Sequence, residues 1–257
     1  MKLATWNVNS LSVRLPHLLD WLAQAQPDAI VLQETKLVDE KFPRAELEAV
    51  GYAAEFFGQK TYNGVALLAR RGEGIADVVK NIVGHDDVQA RVIAGTVRGI
   101  RVIGAYFPNG QAPGSEKFAY KMGWLDKLRA WIADELVRHP QLVLMGDFNI
   151  APEDRDVFDP VAWAGQIHCT PEERGHFQSL VGLGLVDAFR LFDQPEKSWS
   201  WWDYRMLAFR RNQGLRIDHI LVSEALRARV TRCEIDKAPR KLERPSDHAP
   251  VFVELAD

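Results

Sequence analysis

Cysteine is scarce in this chain of 257 residues, which contains only Cys169 and Cys233. Two cysteines without a CxxC pair are too few to cross-link a chain of this length, so we expect reduced thiols in a reducing compartment. The first residues lack the apolar core of a signal peptide, and no stretch has the length and apolarity of a membrane span. These absences favour a cytoplasmic protein without a membrane anchor.

An excess of basic charge is also missing, because 32 lysines and arginines face 35 acids and the formal net charge is −3. This balance argues against a protein that coats nucleic acid through overall basicity, but it leaves room for a local basic groove. Basic residues do cluster in two places, although such clusters also occur on ordinary solvated faces. The clusters are Arg205, Arg210, Arg211 and Arg216, and then Arg240, Lys241 and Arg244.

Hydrophobic residues make up 47% of the chain and charged residues 26%, which is ordinary for a globular protein with a full core. A helical apolar repeat, a proline, a short aliphatic strand and an acid occur in this order twice. The two copies contain Pro27, the strand 29–32 and Glu34, and then Pro140, the strand 142–145 and Asp147. In both copies the acid lies seven residues after the proline, so the two halves are expected to be built alike.

Further segments predict a strand-rich second layer and one capped helix. Strands are expected at 64–69, 91–97, 100–106, 199–204, 215–222 and 250–255, with a hairpin turn at Arg98-Gly99. Thr170 and Pro171 have the residue types of a helix N-cap and first helical position. Residues 151–167 are predicted to form a long loop near the site. No linker divides the chain, so we expect one α+β domain over residues 1–257 with two packed sheets and helices outside them.

Five polar groups each lie at the end of an apolar run. They are Thr5-Trp6-Asn7-Val8-Asn9, Gln33-Glu34-Thr35, Gly146-Asp147-Phe148-Asn149, Arg216-Ile217-Asp218-His219 and Ser246-Asp247-His248. Acids and amides that end buried strands tend to meet at one edge of a sheet, where a hard divalent cation would bind them. Any one acid alone is explained by a capped turn or a surface salt bridge, but the five groups together favour a site.

Oxygen ligands in these groups indicate the kind of metal. Glu34 and Asp247 supply carboxylates and Asn7 supplies an amide oxygen, a set that suits Mg²⁺ or Mn²⁺. Zinc is disfavoured because no group of cysteines and histidines has its spacing. The sequence therefore predicts a Mg²⁺ site, with Mn²⁺ as a substitute.

Asp218 and His248 are predicted to bond to each other. Asp218 lies in an apolar strand where a lone carboxylate is costly to bury, and a hydrogen bond to His248 would satisfy both groups. It would also favour the protonated imidazole, which stabilises charge on a phosphoryl oxygen. The alternative is an ion pair between Asp218 and Arg216.

Asp147 and Asn149 alternate along a segment predicted to be extended, so both side chains would point the same way. One would then hold and deprotonate a water while the other positions it for in-line attack on phosphorus. A tight turn stabilised by Asp and Asn is the alternative. Tyr106 would donate its phenol to a phosphate, or simply pack in the core.

The segment Trp199 to Tyr204 is rich in aromatic residues. If it is a strand, Trp199 and Trp201 lie on one face, and Trp202 and Tyr204 on the other. One face would pack in the core while the other meets a base or a sugar, where stacking contributes about 1 to 3 kcal/mol. Ordinary core packing is the alternative for each tryptophan.

In this order, the polar groups resemble the exonuclease III branch of the endonuclease/exonuclease/phosphatase superfamily. The resembling segments are Leu3 to Ser10, Leu32 to Lys36, Tyr62 to Val65, Tyr106 to Gly110, Gly146 to Pro152 and Arg244 to Pro250. The resemblance spans nearly the whole chain. It implies a four-layer αββα sandwich of two mixed β-sheets, similar to deoxyribonuclease I, and Mg²⁺-dependent cleavage of DNA phosphodiesters at abasic sites or from 3′ ends.

The resemblance also implies roles for particular residues. Asn7, Glu34 and Asp247 would surround the metal, Asp147 with Asn149 would position or activate water, His248 held by Asp218 would stabilise the transition state, and Tyr106 would touch the scissile phosphate. Contacts to double-stranded DNA are expected from Asn9, Lys36, Tyr62, Asn109, His168, Trp201, Arg205 and Leu215. Among these, Trp201 and Leu215 match aromatic walls for an extrahelical abasic sugar. The expected substrate is DNA with abasic sites, nicks or 3′ ends, and the expected state is a monomer.

His168 departs from the resemblance, because family members that incise abasic DNA often have a small residue there. Its place beside a predicted helix N-terminus suggests a contact with a DNA phosphate. We also consider that His168 obstructs the downstream strand and biases the enzyme toward nicks and 3′ ends. The alternative is a loop histidine in solvent.

Two other functions are compatible with parts of this pattern. One is a metal-dependent phosphoesterase of the same fold acting on a phosphoinositide, a sphingolipid or a nucleotide. The basic clusters and the lack of a membrane anchor count against it. The other is a DNA-binding module without catalysis. In such a module, at least one of the five polar groups would lack a residue that catalysis needs. Because Asn7, Glu34, Asp147, Asn149, Asp218 and His248 are all present, that module is disfavoured.

Overall fold

A computed structural model describes residues 1–256, and over these residues the chain forms two six-stranded sheets with helices outside them. The strands are β1 (Lys2–Asn7), β2 (Ala29–Gln33), β3 (Tyr52–Phe57), β4 (Val65–Arg70), β5 (Ala76–Lys80), β6 (Val92–Val97), β7 (Ile100–Tyr106), β8 (Leu142–Asp147), β9 (Leu185–Asp187), β10 (Asp218–Ser223), β11 (Val230–Ile235) and β12 (Val251–Leu255). The helices are α1 (Leu11–Ala25), α2 (Arg44–Ala49), α3 (Glu116–Arg138), α4 (Pro171–Val181) and α5 (Glu224–Arg227).

The two sheets have the same plan. The first has the order β11-β12-β1-β2-β4-β3 and the second the order β5-β6-β7-β8-β10-β9. Each contains one parallel pair, β1 with β2 and β7 with β8, and the other neighbours are antiparallel, so both sheets are mixed. The helices α1 and α3 make the crossovers of these parallel pairs. The expectation of two similarly built halves is therefore confirmed.

Three apolar layers hold the four-layer sandwich together. The central layer lies between the sheets, where Val31 and Leu67 of one sheet pack with Val102 and Val143 of the other. A side chain at Gly104 would bring its Cβ within 2.6 Å of Val31 Cγ1, so glycine allows the sheets to approach closely. The outer layers pack α1 and α2 on the first sheet, and α3 and α4 on the second. The predicted αββα architecture is confirmed.

The predicted start of α4 is also confirmed. Thr170 Oγ1 accepts a hydrogen bond from the Glu173 N–H at 3.1 Å, and a Glu173 carboxylate oxygen accepts one from the Thr170 N–H at 3.1 Å. Pro171 occupies the first helical position, where its missing N–H costs nothing. The loop that contains His168 lies next to the residues that follow β8, because the Ala151 N–H donates to the His168 carbonyl at 2.8 Å.

The predicted strand from Trp199 to Tyr204 is wrong. Only isolated bridges form there, from Trp201 to Leu215 and from Trp201 to His248. The segment runs between two loops instead of along a sheet, so the alternation of faces is lost, and Trp199 and Trp202 are buried in the same cluster. The strand expected from Leu215 begins only at Asp218. Within residues 1–256, no helix is both long and apolar enough to cross a membrane.

Candidate active site

Three neighbouring strands of the second sheet place Tyr106, Asp147 and Asp218 in one row. Tyr106 is the register partner of Asp147 in the parallel pair β7 and β8, and Asp147 is the partner of Asp218 in the antiparallel pair β8 and β10. Tyr106 and Asp147 are the last residues of their strands, and Asp218 is the first residue of β10. The row therefore marks one edge of the sheet, as the polar strand ends predicted.

The first sheet contacts this row through Asn7 and Glu34. Asn7 is the last residue of β1, and Glu34 directly follows the parallel strand β2. The Asn7 amide nitrogen donates to Glu34 Oε1 at 2.8 Å and to Asp147 Oδ2 at 2.9 Å. Its amide oxygen accepts the Asn9 N–H at 2.9 Å, so the nitrogen faces the two carboxylates. A metal contact through the oxygen therefore requires a rotated Asn7 amide, and its ligand role stays a prediction.

His248 lies between the two aspartates of the row. Its Nδ1 atom is 2.9 Å from Asp218 Oδ2, and its Nε2 atom is 3.7 Å from Asp147 Oδ2. Burial lowers the pKa of His248, but the charges of Asp218 and then Asp147 outweigh burial and raise it to about 10. The imidazolium thus donates through Nδ1 and directs its second N–H toward Asp147. The Asp218–His248 bond is as expected.

Arg216 takes no part in that bond. It pairs with Asp156 Oδ1 at 2.7 Å and with Asp187 Oδ2 at 2.8 Å, both away from Asp218. The alternative pairing of Asp218 with Arg216 is therefore wrong. The basic side chains of Arg216 and Arg240 are both buried, so these two residues do not belong to a surface cluster.

Asp147 is the most crowded carboxylate of the site. Burial raises its pKa, the positive charge of His248 lowers it, and Asp218 raises it again, with a net upward shift. Besides the Asn7 amide, it accepts the Asn149 N–H at 2.9 Å. A carboxylate with a raised pKa beside an imidazolium can accept a proton from a bound water.

Asp147 and Asn149 are joined by a turn, which was the alternative to an extended segment. The strand β8 ends at Asp147, and Asn149 has a positive φ of 50°. The Asn149 amide nitrogen donates to the Phe107 carbonyl at 3.0 Å, and its oxygen accepts from Asn109 Nδ2 at 3.3 Å. The expectation of alternation is wrong, because the Asp147 side chain accepts the Asn149 N–H and turns the chain.

Asp247 lies beside the row and is held by two donors. Its Oδ1 accepts from Asn9 Nδ2 at 2.9 Å and its Oδ2 from Trp201 Nε1 at 3.0 Å. Burial raises the pKa of Asp247, but His248, Asn9 and Trp201 outweigh burial and lower it overall. Each oxygen keeps a further lone pair, so Asp247 remains compatible with the predicted ligand set.

Lys36 is engaged inside the site. Its ammonium is 3.0 Å from Glu34 Oε2 and donates to Asn9 Oδ1 at 2.6 Å.

Tyr106 is half-buried, and burial followed by the charges of Glu34 and Asp147 raises its pKa well above the usual value. Tyr106 thus keeps its proton and has a phenol that can donate.

A divalent cation fits the carboxylates of this site. Oxygen atoms of Glu34 and Asp147 and a ring nitrogen of His248 lie within 4.8 Å of one another. Because His248 is protonated and bound to Asp218, it is no ligand, and the remaining donors are oxygens. The sequence had assigned Asp147 to water, so its place beside Glu34 adds a candidate ligand that sequence reasoning missed.

His168 is buried, with only 6% of its surface exposed, so the alternative prediction of a loop histidine in solvent is wrong. Its Nδ1 lies 2.8 Å from the Asn149 carbonyl and therefore carries the proton that it donates. Burial, and then the charge of Lys121, lower its pKa to about 3. The neutral ring presents a lone pair at Nε2, which disfavours the expected phosphate contact. Its ring lies between those of Trp163 and Trp201, with centroids 6.4 and 6.5 Å away.

The other predicted DNA contacts differ in exposure. Tyr62 is 68% exposed, and Arg205 is exposed while paired with Asp203 at 2.6 Å. Asn109 is exposed and Trp201 is half-buried. Leu215 is fully buried under Trp201, so it presents no wall to a sugar in this structure.

Sequence reasoning missed Lys121, Glu173 and Ser200. The Ser200 hydroxyl accepts the N–H groups of Ile217 at 3.1 Å and Asp218 at 3.0 Å. The sequence does contain a signal for Lys121, because a charged residue occupies a position on the apolar face of a helical repeat, between Phe118 and Leu125. Nothing in the sequence singles out Ser200.

Comparison with known proteins agrees with this geometry. The profile of the Endonuclease/Exonuclease/phosphatase family matches residues 4–248. The chain therefore belongs to this family, and it is a hydrolase of the nuclease type. The family is metal-dependent, which agrees with the carboxylate cluster of Glu34 and Asp147.

Individual relatives cover the whole chain. Exodeoxyribonuclease III of Haemophilus influenzae is 37% identical over 269 aligned positions, which cover 99% of this chain and 100% of the relative. The 3′ phosphatase NExo from Neisseria, bound to a product DNA hairpin, is 49% identical with a TM-score of 0.97 over 100% of both chains. An AP endonuclease from Archaeoglobus fulgidus is 35% identical with a TM-score of 0.94 over 99% of both chains.

Proposed function

We propose that this nuclease is a Mg²⁺-dependent enzyme of DNA base excision repair that processes 3′ ends, as a 3′ phosphatase and 3′-5′ exonuclease. The observation that carries the proposal is His168, a buried ring beside the site that contacts Trp163 and Trp201 with centroids 6.4 and 6.5 Å away. The likeness to a 3′ phosphatase at 49% identity supports the same substrate class. Mn²⁺ would substitute for Mg²⁺ at oxygen ligands.

The metal would be held by Glu34 and Asp247, with Asn7 and Asp147 beside them. Bound there, Mg²⁺ would neutralise charge on the substrate phosphate. The remaining chemistry belongs to the protein. Asp147 accepts the proton of a water that Asn149 positions, and the hydroxide oxygen bonds to phosphorus while the P–O bond opposite it breaks. The leaving alkoxide then takes up a proton from solvent.

His248 and Tyr106 would stabilise the phosphoryl oxygens. The imidazolium donates through Nε2 while Nδ1 is fixed by Asp218 at 2.9 Å, so its direction is set before substrate arrives. The Tyr106 phenol, at the far side of Asp147 in the row, donates to another oxygen of the same phosphate. These donors lose little ordering entropy in the transition state because they are already held.

We infer substrate choice from the side chains packed beside Trp201. An extrahelical abasic sugar needs space next to this ring, and the His168 imidazole occupies the neighbouring volume under Trp163. A terminal 3′ phosphate needs no such space. We therefore expect ends and nicks to be processed faster than intact abasic duplex. The exposed side chains of Tyr62, Asn109 and Arg205 would contact the DNA backbone on both sides of the site.

The enzyme is proposed to act as a cytoplasmic monomer. Three labelled duplexes test the activity in Mg²⁺, with EDTA controls: one with an internal abasic analogue, one with a 3′ phosphate at a nick, and one with a recessed 3′ end. We expect rapid reaction at the nick and the recessed end and slow incision of the abasic duplex. Rapid abasic incision would overturn the proposed preference, and a lack of cleavage of all three would overturn the assignment to DNA.

A further inference from the structure

A buried lysine lies directly behind the catalytic loops. Lys121 is on α3 with its side chain 0% exposed, and its ammonium contacts the equally buried carboxylate of Glu173. It also donates to the Asn149 carbonyl at 2.7 Å and to the Asn109 carbonyl at 3.3 Å. An ammonium has three N–H donors, and all three are accounted for by these acceptors.

These bonds tie four parts of the chain together. Asn109 follows β7, Asn149 follows β8, and Glu173 lies in the first turn of α4. The second oxygen of Glu173 accepts the N–H and the hydroxyl of Thr170 at 3.1 and 2.9 Å. Lys121 thus connects α3 and the capped end of α4 to the two loops that follow the catalytic strands.

A contribution to stability does not by itself explain why the Lys121–Glu173 ion pair is buried. Burying two charges costs desolvation that their attraction only partly offsets, and well-packed neutral side chains often replace such pairs without loss. Lys121 is also fully shielded from solvent and does not reach substrate. A buried pair with three directional bonds does, however, specify one arrangement of the groups that it joins.

The bonded carbonyl belongs to a residue in the left-handed backbone region. Asn149 has a positive φ of 50°, an uncommon backbone region for a residue other than glycine. Its carbonyl accepts from Lys121 and also from His168 Nδ1 at 2.8 Å, so two donors fix the direction of this peptide. The side chain of Asn149 is then aimed at Asn109 and Phe107.

We propose that the Lys121–Glu173 pair is a positioning device that holds Asn149 and Asn109 in register with Asp147. The inference rests on the proposed function, because the role of Asn149 toward water comes from it. Without the ammonium, the carbonyls of Asn109 and Asn149 lose the donor that they share, and the polar groups around the attacked phosphorus shift. Lys121 acts through Asn149 and is a positioning residue, not a catalytic one.

The test removes both charges together with the double variant Lys121→Met/Glu173→Gln, in which glutamine can still cap the Thr170 N–H. The matched control is Arg101→Met/Glu135→Gln. That pair is also buried, joins the same helix α3 to β7 with an Nε–Oε2 distance of 2.6 Å, and lies at the end of β7 opposite Tyr106. Both variants are assayed on the nicked 3′-phosphate duplex for kcat and KM.

We expect the Lys121 variant to lose about 100-fold in kcat with KM nearly unchanged, because misplacement by about 1 Å costs that much. The control variant is expected to keep kcat. An unchanged kcat in the Lys121 variant, an equal loss in the control, or a loss confined to KM would each overturn the inference.

A crystal structure of the Lys121 variant supplies a second readout that does not depend on the substrate. The Asn149 side chain is expected to move by more than about 0.5 Å, the tolerance of a catalytic geometry. If Asn149 does not move, the inference is wrong, whatever the activity of the wild type. If the wild type cleaves none of the duplexes, only the proposed function is contradicted. If this double variant does not fold, Lys121→Gln/Glu173→Gln, which also removes both charges but keeps an amide donor near the Asn149 carbonyl, is expected to show a smaller loss of kcat, and no loss overturns the inference.

Discussion

Asp147 and Asp218 face each other as register partners in antiparallel strands, and one imidazolium lies between their carboxylates. Two buried carboxylates so close would repel each other, so the cation of His248 makes the arrangement possible. The same contact orients the ring for donation to a phosphoryl oxygen. The pairing of β8 with β10 brings the two aspartates together, and the loop before β12 of the other sheet supplies His248.

Asp218→Asn tests this arrangement. Asparagine keeps the shape but removes the largest of the charges that raise the pKa of His248, so the pKa falls, the imidazolium is less favoured and donation at Nε2 weakens. We expect kcat to fall about 100- to 10,000-fold, the range of acid–base groups, with little change in KM. Asp193→Asn, on an exposed loop, is the control and keeps its activity. A loss of less than about threefold would remove Asp218 from the mechanism.

Glu34→Gln tests the metal. A cation bound to the native state raises stability by about 2.7 kcal/mol at 100 times its dissociation constant, so Mg²⁺ should raise the Tm of the wild type. The variant should lose most of this shift and most of its activity, and EDTA should abolish activity of the wild type. Differential scanning calorimetry with and without Mg²⁺ measures the effect. Equal Tm shifts in both proteins would place the cation elsewhere.

His168→Gly tests substrate choice. Glycine removes the imidazole that contacts Trp163 and Trp201, so the ratio of abasic-site incision to 3′ end processing should rise. If the activation free energy of incision falls by about 1.4 kcal/mol, the ratio rises about tenfold. Glycine also tolerates the positive φ of 74° at this position. Trp163→Phe, which keeps an aromatic ring above the histidine, serves as control. The idea is wrong if the variant and wild type give the same ratio.

His168 also predicts a pH dependence of stability in the metal-free protein. Its pKa is lowered to about 3 in the folded state, against about 6.5 in the unfolded chain, so between these values unfolding takes up a proton. The stabilisation is present above pH 6.5 and is lost as the pH falls toward 3. It amounts to about 2 kcal/mol between pH 7 and 5.

Denaturant unfolding of the wild type and of His168→Gln at pH 7 and 5 isolates this contribution, because the other titrating groups are common to both. The wild type should lose about 2 kcal/mol more than the variant on acidification. Parallel losses would show that His168 is solvated and protonates freely in the folded state.

Much of the site was predictable from short patterns. Apolar runs that end in Asn7, Glu34 and Asp147, and the run that follows Asp218, are local signals of strand ends, and these ends share an edge once the sheets form. The Thr170 cap is equally local. Two expectations of an extended chain failed for different reasons. In the segment from Trp199 to Tyr204, bridges to distant loops replace the strand. At Asn149, the Asp147 side chain makes a local turn.

Residue types and their spacing thus specify which side chains reach the site, since period and capping are properties of a few neighbouring residues. The choice among their partners was made by the tertiary structure. His248 bonds to Asp218 instead of leaving it to Arg216, His168 is buried and neutral, and Lys121 joins loops that are distant in sequence. These outcomes depend on burial and on distances of a few ångströms between remote segments, and both arise only when the two sheets pack.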